Sequence, residues 1–536
     1  MSHVATEEEL EKKGALDLSD TIEPLGKPVK HWLIPVMVAL IGAFMSILDT
    51  SIVNVATSQI MNVFGTTTTQ VQWISTIYML TLGVITPSSG WLGDRFGFKK
   101  VYIASMAIFV VGSLLCAASG SINFMIFARV VQAIGGGMIM PITMAMIYRL
   151  VPRKEIGSAM GLFGLALLVA PSIGPTLGGY LVQYVDWRWI FTINLPIGIV
   201  GLLLSWFLLP EFEMPDAGKF DFWGAFTASV GLFCMLLALS EGSEWGWTSE
   251  PIILLFYASF CLLALFVYIE LTIESPLLEL RVFAIPSFTF ANLTISVTMT
   301  GLFAGLFYIP LFLQSIRGYG ALETGLMLMP GALLTGIFMP ISGKLYDRVG
   351  PKAMVVFGLA GFALLTWVFH FMNLETSTGT IIFWLVLRGG LMSFANMPAQ
   401  TASMAEIPQH LIGRASALNN IMSRVSSSLG LAVLTSILNN RITTHTVRMS
   451  ETITAQNHTA TAFITHVSAM AGGGAKGAMV AQAYLRGVVA KTAFVRGIDD
   501  VFIVAAILIG VGVIPALFLK KGVPKKGADA PAHAAE

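Results

Sequence analysis

The sequence predicts an all-α polytopic membrane protein: two six-helix halves with two further helices inserted between them, fourteen transmembrane helices in all. Three observations carry this. Of 536 residues, 55% are hydrophobic and 11% charged, with a mean hydropathy of +0.78. Soluble domains hold about 25% charged residues, so this chain cannot cover its surface with polar groups and much of it must face lipid. Apolar runs of membrane length recur along the chain, and a charged motif recurs once at a long offset.

A bilayer core takes about 20 apolar residues as helix. By that measure, spans fall near 32–56, 71–92, 100–119, 123–148, 156–181, 188–209, 221–240, 251–270, 286–313, 322–346, 352–372, 379–405, 411–438 and 498–520. Basic residues cluster in the first tail (Lys27, Lys30), in GDRFGFKK, YRLVPRK and GKLYDRVGPK, and in the final KKGVPKK. These segments alternate with TSQIMNVFGTTTTQ, ASGSIN and EGSEWGWTSE, which hold no basic residue. The positive-inside rule then puts both termini in the cytoplasm and the protein in the cytoplasmic (inner) membrane. The opening is polar and acidic (TEEELEKK), and no small-residue cleavage site follows the first apolar run. That run is expected to remain as the first span.

Composition also excludes classes. Net charge is +1, so no global field points to nucleic acid. Cys116, Cys234 and Cys261 stand singly in apolar runs, where thiols act as small hydrophobes, and no metal site is expected. Neither GxxxxGK[ST] nor HExxH occurs, which argues against an ATP-driven pump or a membrane enzyme.

The repeat sets the domain organisation. Gly90, Asp94, Arg95, Gly97 and Lys99 recur as Gly343, Asp347, Arg348, Gly350 and Lys352, an offset of 343 − 90 = 253. Further on, Pro141, Pro152 and Gly157 match Pro398, Pro408 and Gly413, and APSIG (170–174) falls on SSSLG (426–430). The expected organisation is a cytoplasmic tail (1–31), a six-helix bundle (32–209), two inserted helices with linkers (210–280), a second bundle (281–520) with an external loop (439–497), and a cytoplasmic tail (521–536).

Charges inside spans cost about 2.5–3.5 kcal/mol each on insertion scales. Asp49, Arg129, Arg388 and Arg424 are of this kind. Asp49 lies roughly 25 Å beyond the cytoplasmic start of the first span, and Arg129 roughly 9 Å in from the outside. Both therefore occupy the outer half at comparable depth, within reach if the first and fourth spans are neighbours. Such a pair reads either as a proton switch or as a static bond between helices. At helical spacing Asn420, Arg424, Ser427 and Ser428 share one face, which lines a cavity or bonds to neighbouring helices. Arg388 beside Gly389 and Gly390 reads as a helix anchor or a substrate contact. Gly174, Gly178 and Gly179 permit close helix approach, Pro171 and Pro175 bend the fifth span, and Gly135, Gly136 and Gly137 act likewise in the fourth. Asp94 ends the second span, where it can latch the cytoplasmic side, and Asp347 predicts the same latch in the second half.

These residues carry a resemblance. GWLGDRFGFKK resembles the loop 2–3 signature of the major facilitator superfamily, and ARVVQAIGGGMIMP its fourth-helix motif, with Arg129 and Gln132 at the polar positions. LLVAPSIGPTLGGYL resembles the antiporter motif of the fifth helix. ILDTSIVNVA and DWRWIFTINLPIG narrow the match to the fourteen-helix drug:proton antiporters, the EmrB/QacA-like group, over about residues 32 to 520. The resemblance implies the major facilitator fold and proton-coupled export of hydrophobic or amphipathic drugs by alternating access. It implies no cofactor beyond the proton gradient. Asp49 would carry the proton with Arg129 as partner; Gln132, Arg388, Asn420 and Arg424 would line the substrate cavity. Gly90, Asp94, Arg95, Gly97, Asp347 and Arg348 would form the cytoplasmic gate. Ala133 stands where the family often has Gly, a change of packing that leaves the pair in place. The same fold exporting a lipid or an endogenous metabolite is the alternative.

Two matters stay open in the sequence. Segment 439–497 reads as a poorly ordered loop, or as an amphipathic external helix that acts as a lid or contacts a periplasmic adaptor protein; the sequon at Asn457 lies within it. The arginines outnumber Asp49 among the buried charges, which favours neutral or weakly acidic amphiphiles over dications, while aromatic and Met residues leave lipophilic monocations open.

Overall fold

The computed structural model describes residues 31–152, 155–211, 218–273, 275–453 and 458–520. The basic residues Lys27, Lys30, Arg153 and Lys154, the sequon Asn457, and the final tail from residue 521 fall outside them.

The apolar runs fold as helices because a chain in lipid must bond every peptide group within its own segment. The first half comprises α1 (Leu33–Phe64), α2 (Thr68–Ile85), α3 (Ser89–Phe96), α4 (Phe98–Ala117), α5 (Ile122–Leu150), α6 (Ile156–Tyr184), α7 (Trp189–Thr192) and α8 (Asn194–Leu208). The inserted pair is α9 (Phe222–Trp245) and α10 (Glu250–Thr272). The second half comprises α11 (Pro286–Ser315), α12 (Ala321–Val349), α13 (Pro351–Val368), α14 (Thr378–Met404), α15 (Ile412–Thr452), α16 (His458–Met470), α17 (Gly474–Val511) and α18 (Val513–Leu517).

Thirteen helices among the described residues are long and apolar enough to cross a membrane. The other expected span, 71–92, is α2 and α3 joined by a 3-10 turn at Thr86–Ser88. Pro87 inside that turn withholds a backbone donor and bends the path. Polar signals set several helix starts: Thr67 and Gln70 form a capping box at α2, Ser121 caps α5, and Asp221 caps α9 through the Gly224 N–H.

The expected loop 439–497 is instead largely helical. α15 runs on to Thr452, and the final span begins in α17 as far back as Gly474. No proline interrupts either helix, so nothing stops the backbone at the end of the apolar stretch. The stretch 475–497, readable as an amphipathic helix, is continuous with the last span.

The halves share one apolar cluster at one end and keep separate clusters at the other. At the end that carries Asp94, one apolar cluster runs across both halves, from Tyr102, Ile147 and Tyr148 to Met397, Met404, Ile412 and Leu418. At the far end each half keeps a cluster of its own, one around Ile52, Ile60 and Trp187, the other around Tyr308, Phe312, Phe369 and Phe502. α6 and α12 pack together, with Gly325 against Thr176 towards the far end and Gly343 against Gly157 near Asp94. α15 meets the first half through α3, α5 and the Thr86 turn. The inserted pair sits beside this second seam, α9 packing on both α2 and α15.

Candidate functional site

Asp49, near the middle of α1, has no exposed surface. Three donors fill its carboxylate. Arg129 Nη1 of α5 lies 2.5 Å from Oδ2, Gln132 Nε2 lies 2.8 Å from Oδ1, and Asn194 Nδ2 at the start of α8 lies 2.9 Å from Oδ1. Arg129 and Gln132 stand one helical turn apart, so α5 presents both to α1 from one face. Ser113 of α4 accepts from Gln132 at 2.8 Å and from Asn194 at 3.4 Å, which fixes the two amides.

Arg129 does not depend on Asp49 alone. Its Nε donates to the Ile74 carbonyl at 3.2 Å and Nη1 to Gln132 Oε1 at 2.6 Å. Its guanidinium also lies 3.9 Å from the Tyr78 ring centroid and 5.8 Å from that of Phe191. Deleting one partner of a buried pair typically costs about 3–5 kcal/mol, because the other charge is left uncompensated. Here a neutral carboxyl would leave Arg129 held by a carbonyl, an amide oxygen and an aromatic face. Arg129 therefore keeps three partners besides the Asp49 carboxylate.

The sequence assigned Gln132 to the substrate cavity, but the structure buries it completely and spends its amide on Asp49 and Ser113. Arg388 is likewise no cavity residue. It is 5% exposed inside the second half, donating to the Gly301 carbonyl at 2.5 Å and Thr366 Oγ1 at 3.1 Å, 4.6 Å from the Phe362 ring. It ties α14 to α11 and α13. Asn420 and Arg424 do lie on the face of α15 that meets the first half: Asn420 Nδ2 stands 4.0 Å from Met144 Sδ, and Arg424 interacts electrostatically with Tyr78.

The repeat motif forms the closed end. Gly97 and Gly350 adopt φ of +91° and +82°, a region closed to residues with a Cβ at little cost, and so turn the chain between spans in each half. Gly90 backs onto Gly413 and Arg414, while Gly343 backs onto Gly157. Since Gly90 matches Gly343 and Gly157 matches Gly413, the two halves grip each other through the same pair of positions. Gly174 and Gly178 of α6 lie against Ser51 and Ile52 of α1, Gly179 faces Leu322, and α6 runs unbroken through Pro171 and Pro175.

Asp94 is 2% exposed and pairs with Arg149 of α5 at 3.2 Å and with Arg414 of α15 at 4.0 Å. Burial outweighs the opposing pull of the two arginines and leaves its carboxyl raised to about 6. Arg95 and Arg348, expected in the gate, are exposed at the surface. Each follows its acid by one residue, which on a helix turns it away from the seam. The side chain of Asp347 falls outside the described residues. The positions that match its would-be partners are Glu406 (149 + 257) and Ser158 (414 − 256), neither of them basic.

Two helical halves that close at one end around a buried charge cluster define a membrane transport protein of small molecules. Residues 39–431 match the model of the Major Facilitator Superfamily, and the chain belongs to that superfamily, which makes it a transporter and not an enzyme. It is 32% identical to the uncharacterized MFS-type transporter YhcA of Bacillus subtilis, over 92% of this chain and 94% of the relative. It is 32% identical to the multidrug resistance protein B homolog of Mycobacterium tuberculosis over 75% of each. Among solved structures it resembles the human organic anion transporter MFSD10, with TM-score 0.57, 14% identity, and 91% and 99% of the two chains covered. That likeness speaks for the fold alone.

Proposed function

We propose that this protein is a proton-coupled antiporter that exports hydrophobic or amphipathic drugs from the cytoplasm. The observation that carries the reading is the Asp49 cluster, a carboxylate with a cationic partner that keeps other bonds when the acid is neutral. Proton loading of such a group changes the charge between helices and so biases one packing of the halves over another. The resistance-protein name among its relatives supports drug cargo. The Asp94 end is assigned to the cytoplasm by its basic loops, which makes the described conformation closed to the cytoplasm. Asp94, Arg149 and Arg414 then form the ionic part of the cytoplasmic gate, and Gly90 with Gly343 its close-packed part.

Reconstitution in proteoliposomes tests the reading. With an imposed pH gradient and no ATP, a hydrophobic dye is expected to move against its own gradient, and an internal pH indicator to report counter-movement of protons. Movement that needs ATP, or that ignores the pH gradient, would refute antiport. A lipid analogue moved in place of every drug tested would reassign the cargo and leave the coupling intact.

A further inference from the structure

One stripe of α15 runs up the seam with the first half at four-residue spacing. Ser416 Oγ donates to the Pro141 carbonyl at 2.9 Å, Asn420 stands against Met144, and Arg424 follows one turn further from Asp94. Burial changes sharply along this stripe. Residues 415–419 are all buried, whereas every residue from Asn420 to Ser428 is half-buried. The seam is therefore tightly packed up to Asn420 and looser beyond it, and Arg424 stands just past the tightly packed part.

Among the deep arginines discussed, Arg424 alone combines the lack of a paired carboxylate with an Nε that has no hydrogen-bond partner among the described residues. Arg129 is held by Asp49, Arg149 by Asp94, and Arg388 by a carbonyl and a hydroxyl. Among the described residues no carboxylate pairs with Arg424, and its Nε is buried without a hydrogen-bond partner. Its electrostatic neighbour is Tyr78, whose ring covers Arg129. Asp49 does not serve Arg424, because Arg129, Gln132 and Asn194 already fill it. Holding a cation in a membrane interior without a counter-charge is costly, and a guanidinium is shaped to take a carboxylate or similar oxyanion in a two-pronged grip.

We propose that Arg424 is the substrate-recognising cation of the translocation path, and that the transporter selects amphiphiles bearing an acidic group on an apolar body over lipophilic cations. Half-buried Ser427 and Ser428 continue the same face of α15, with Ser427 Oγ donating to the Ser423 carbonyl at 2.7 Å. The assignment deepens the antiport reading and rests on it for direction of transport, while binding itself needs no gradient.

The test separates the two. Equilibrium binding of an anionic dye (8-anilinonaphthalene-1-sulfonate) and of a monocation (tetraphenylphosphonium) is measured on purified full-length protein in detergent, for wild type, Arg424→Gln and Arg424→Lys. Monodisperse elution of each variant checks folding. Because the sulfonate also reports generic apolar surface, the signal counted is the part displaced by an apolar carboxylate. The expected result is that wild type prefers the anion, Arg424→Gln loses about tenfold or more of its affinity, and Arg424→Lys recovers part of it. In proteoliposomes, export of a monoanion against one proton moves two charges, so an inside-negative potential should speed it. Unchanged anion binding in Arg424→Gln, or a wild-type preference for the monocation, would overturn the assignment. Dye binding as expected but transport blind to the proton gradient would instead overturn antiport and leave Arg424 in place.

Discussion

Asn194 Nδ2 lies 2.9 Å from Asp49 Oδ1, so the helix that begins after the DWRWIFTI segment shares the carboxylate carried by the first. A hydrogen bond to a charged group contributes about 1.5–3 kcal/mol. Asn194→Leu removes that donor without touching Arg129. Gradient-driven transport is expected to fall about tenfold with expression preserved, and Asn194→Gln to restore part of it. Transport at the wild-type rate in Asn194→Leu would exclude the amide from the site.

The gate should respond to pH with a definite sign. Burial raises the Asp94 carboxyl to about 6 in the closed state, against an ordinary carboxylate value of about 3.9 once exposed. Closure therefore takes up a proton in the window between those values, and by linkage a falling pH favours the closed state, gaining as it drops through about 6. The desolvation cost outweighs what Arg149 and Arg414 return. The readout is thiol labelling of Ser416→Cys, which is buried in the seam against the Pro141 carbonyl, with exposed Cys261 replaced by Ser. Normalised at each pH to the labelling rate of the unfolded protein, which removes the thiol's own titration, labelling is expected to slow between about pH 7 and about pH 5, and to lose this dependence in Asp94→Asn.

The glycine grip predicts an asymmetry. A Cβ on Gly343 would meet the Gly157 carbonyl oxygen at 2.1 Å, whereas one on Gly90 would meet the Arg414 backbone at 3.1 Å. Backbone cannot step aside as a side chain can, and overpacking typically costs about 1–3 kcal/mol. Gly343→Ala is expected to lower transport about tenfold or more and to speed labelling at Ser416→Cys. Gly90→Ala should lose no more than about threefold. Equal effects from both would count against the closed packing described here.

Much of this molecule was legible before any coordinates. Span length and the 253-residue repeat offset defined the halves and the insertion, because both are long, redundant signals. The contact of Asp49 with Arg129 followed from depth along two helices, a quantity the sequence holds directly. Asn194, Ser113, Arg149 and Arg414 were not legible as site residues. One amide in FTINLPIG and one arginine in YRLVPRK look like any interfacial polar group until packing says what faces them. Arg95 failed for the same reason in reverse, and Arg388 stayed open between helix anchor and substrate contact, since motif membership and depth say nothing about which way a side chain turns. Segment 439–497 stayed open between a loop and an amphipathic helix because a hydropathy rule ends a span where polarity begins, whereas a helix ends only where the backbone is broken.

The central claim is that the proton bound at Asp49 drives transport. The most direct measurement compares wild type with Asp49→Asn in proteoliposomes, following both gradient-driven uphill movement and passive exchange of labelled dye. Uphill movement is expected to vanish in the variant while exchange persists, since the neutral side chain keeps the fold and the path but cannot release a proton. Uphill movement at the wild-type rate in Asp49→Asn would contradict the account.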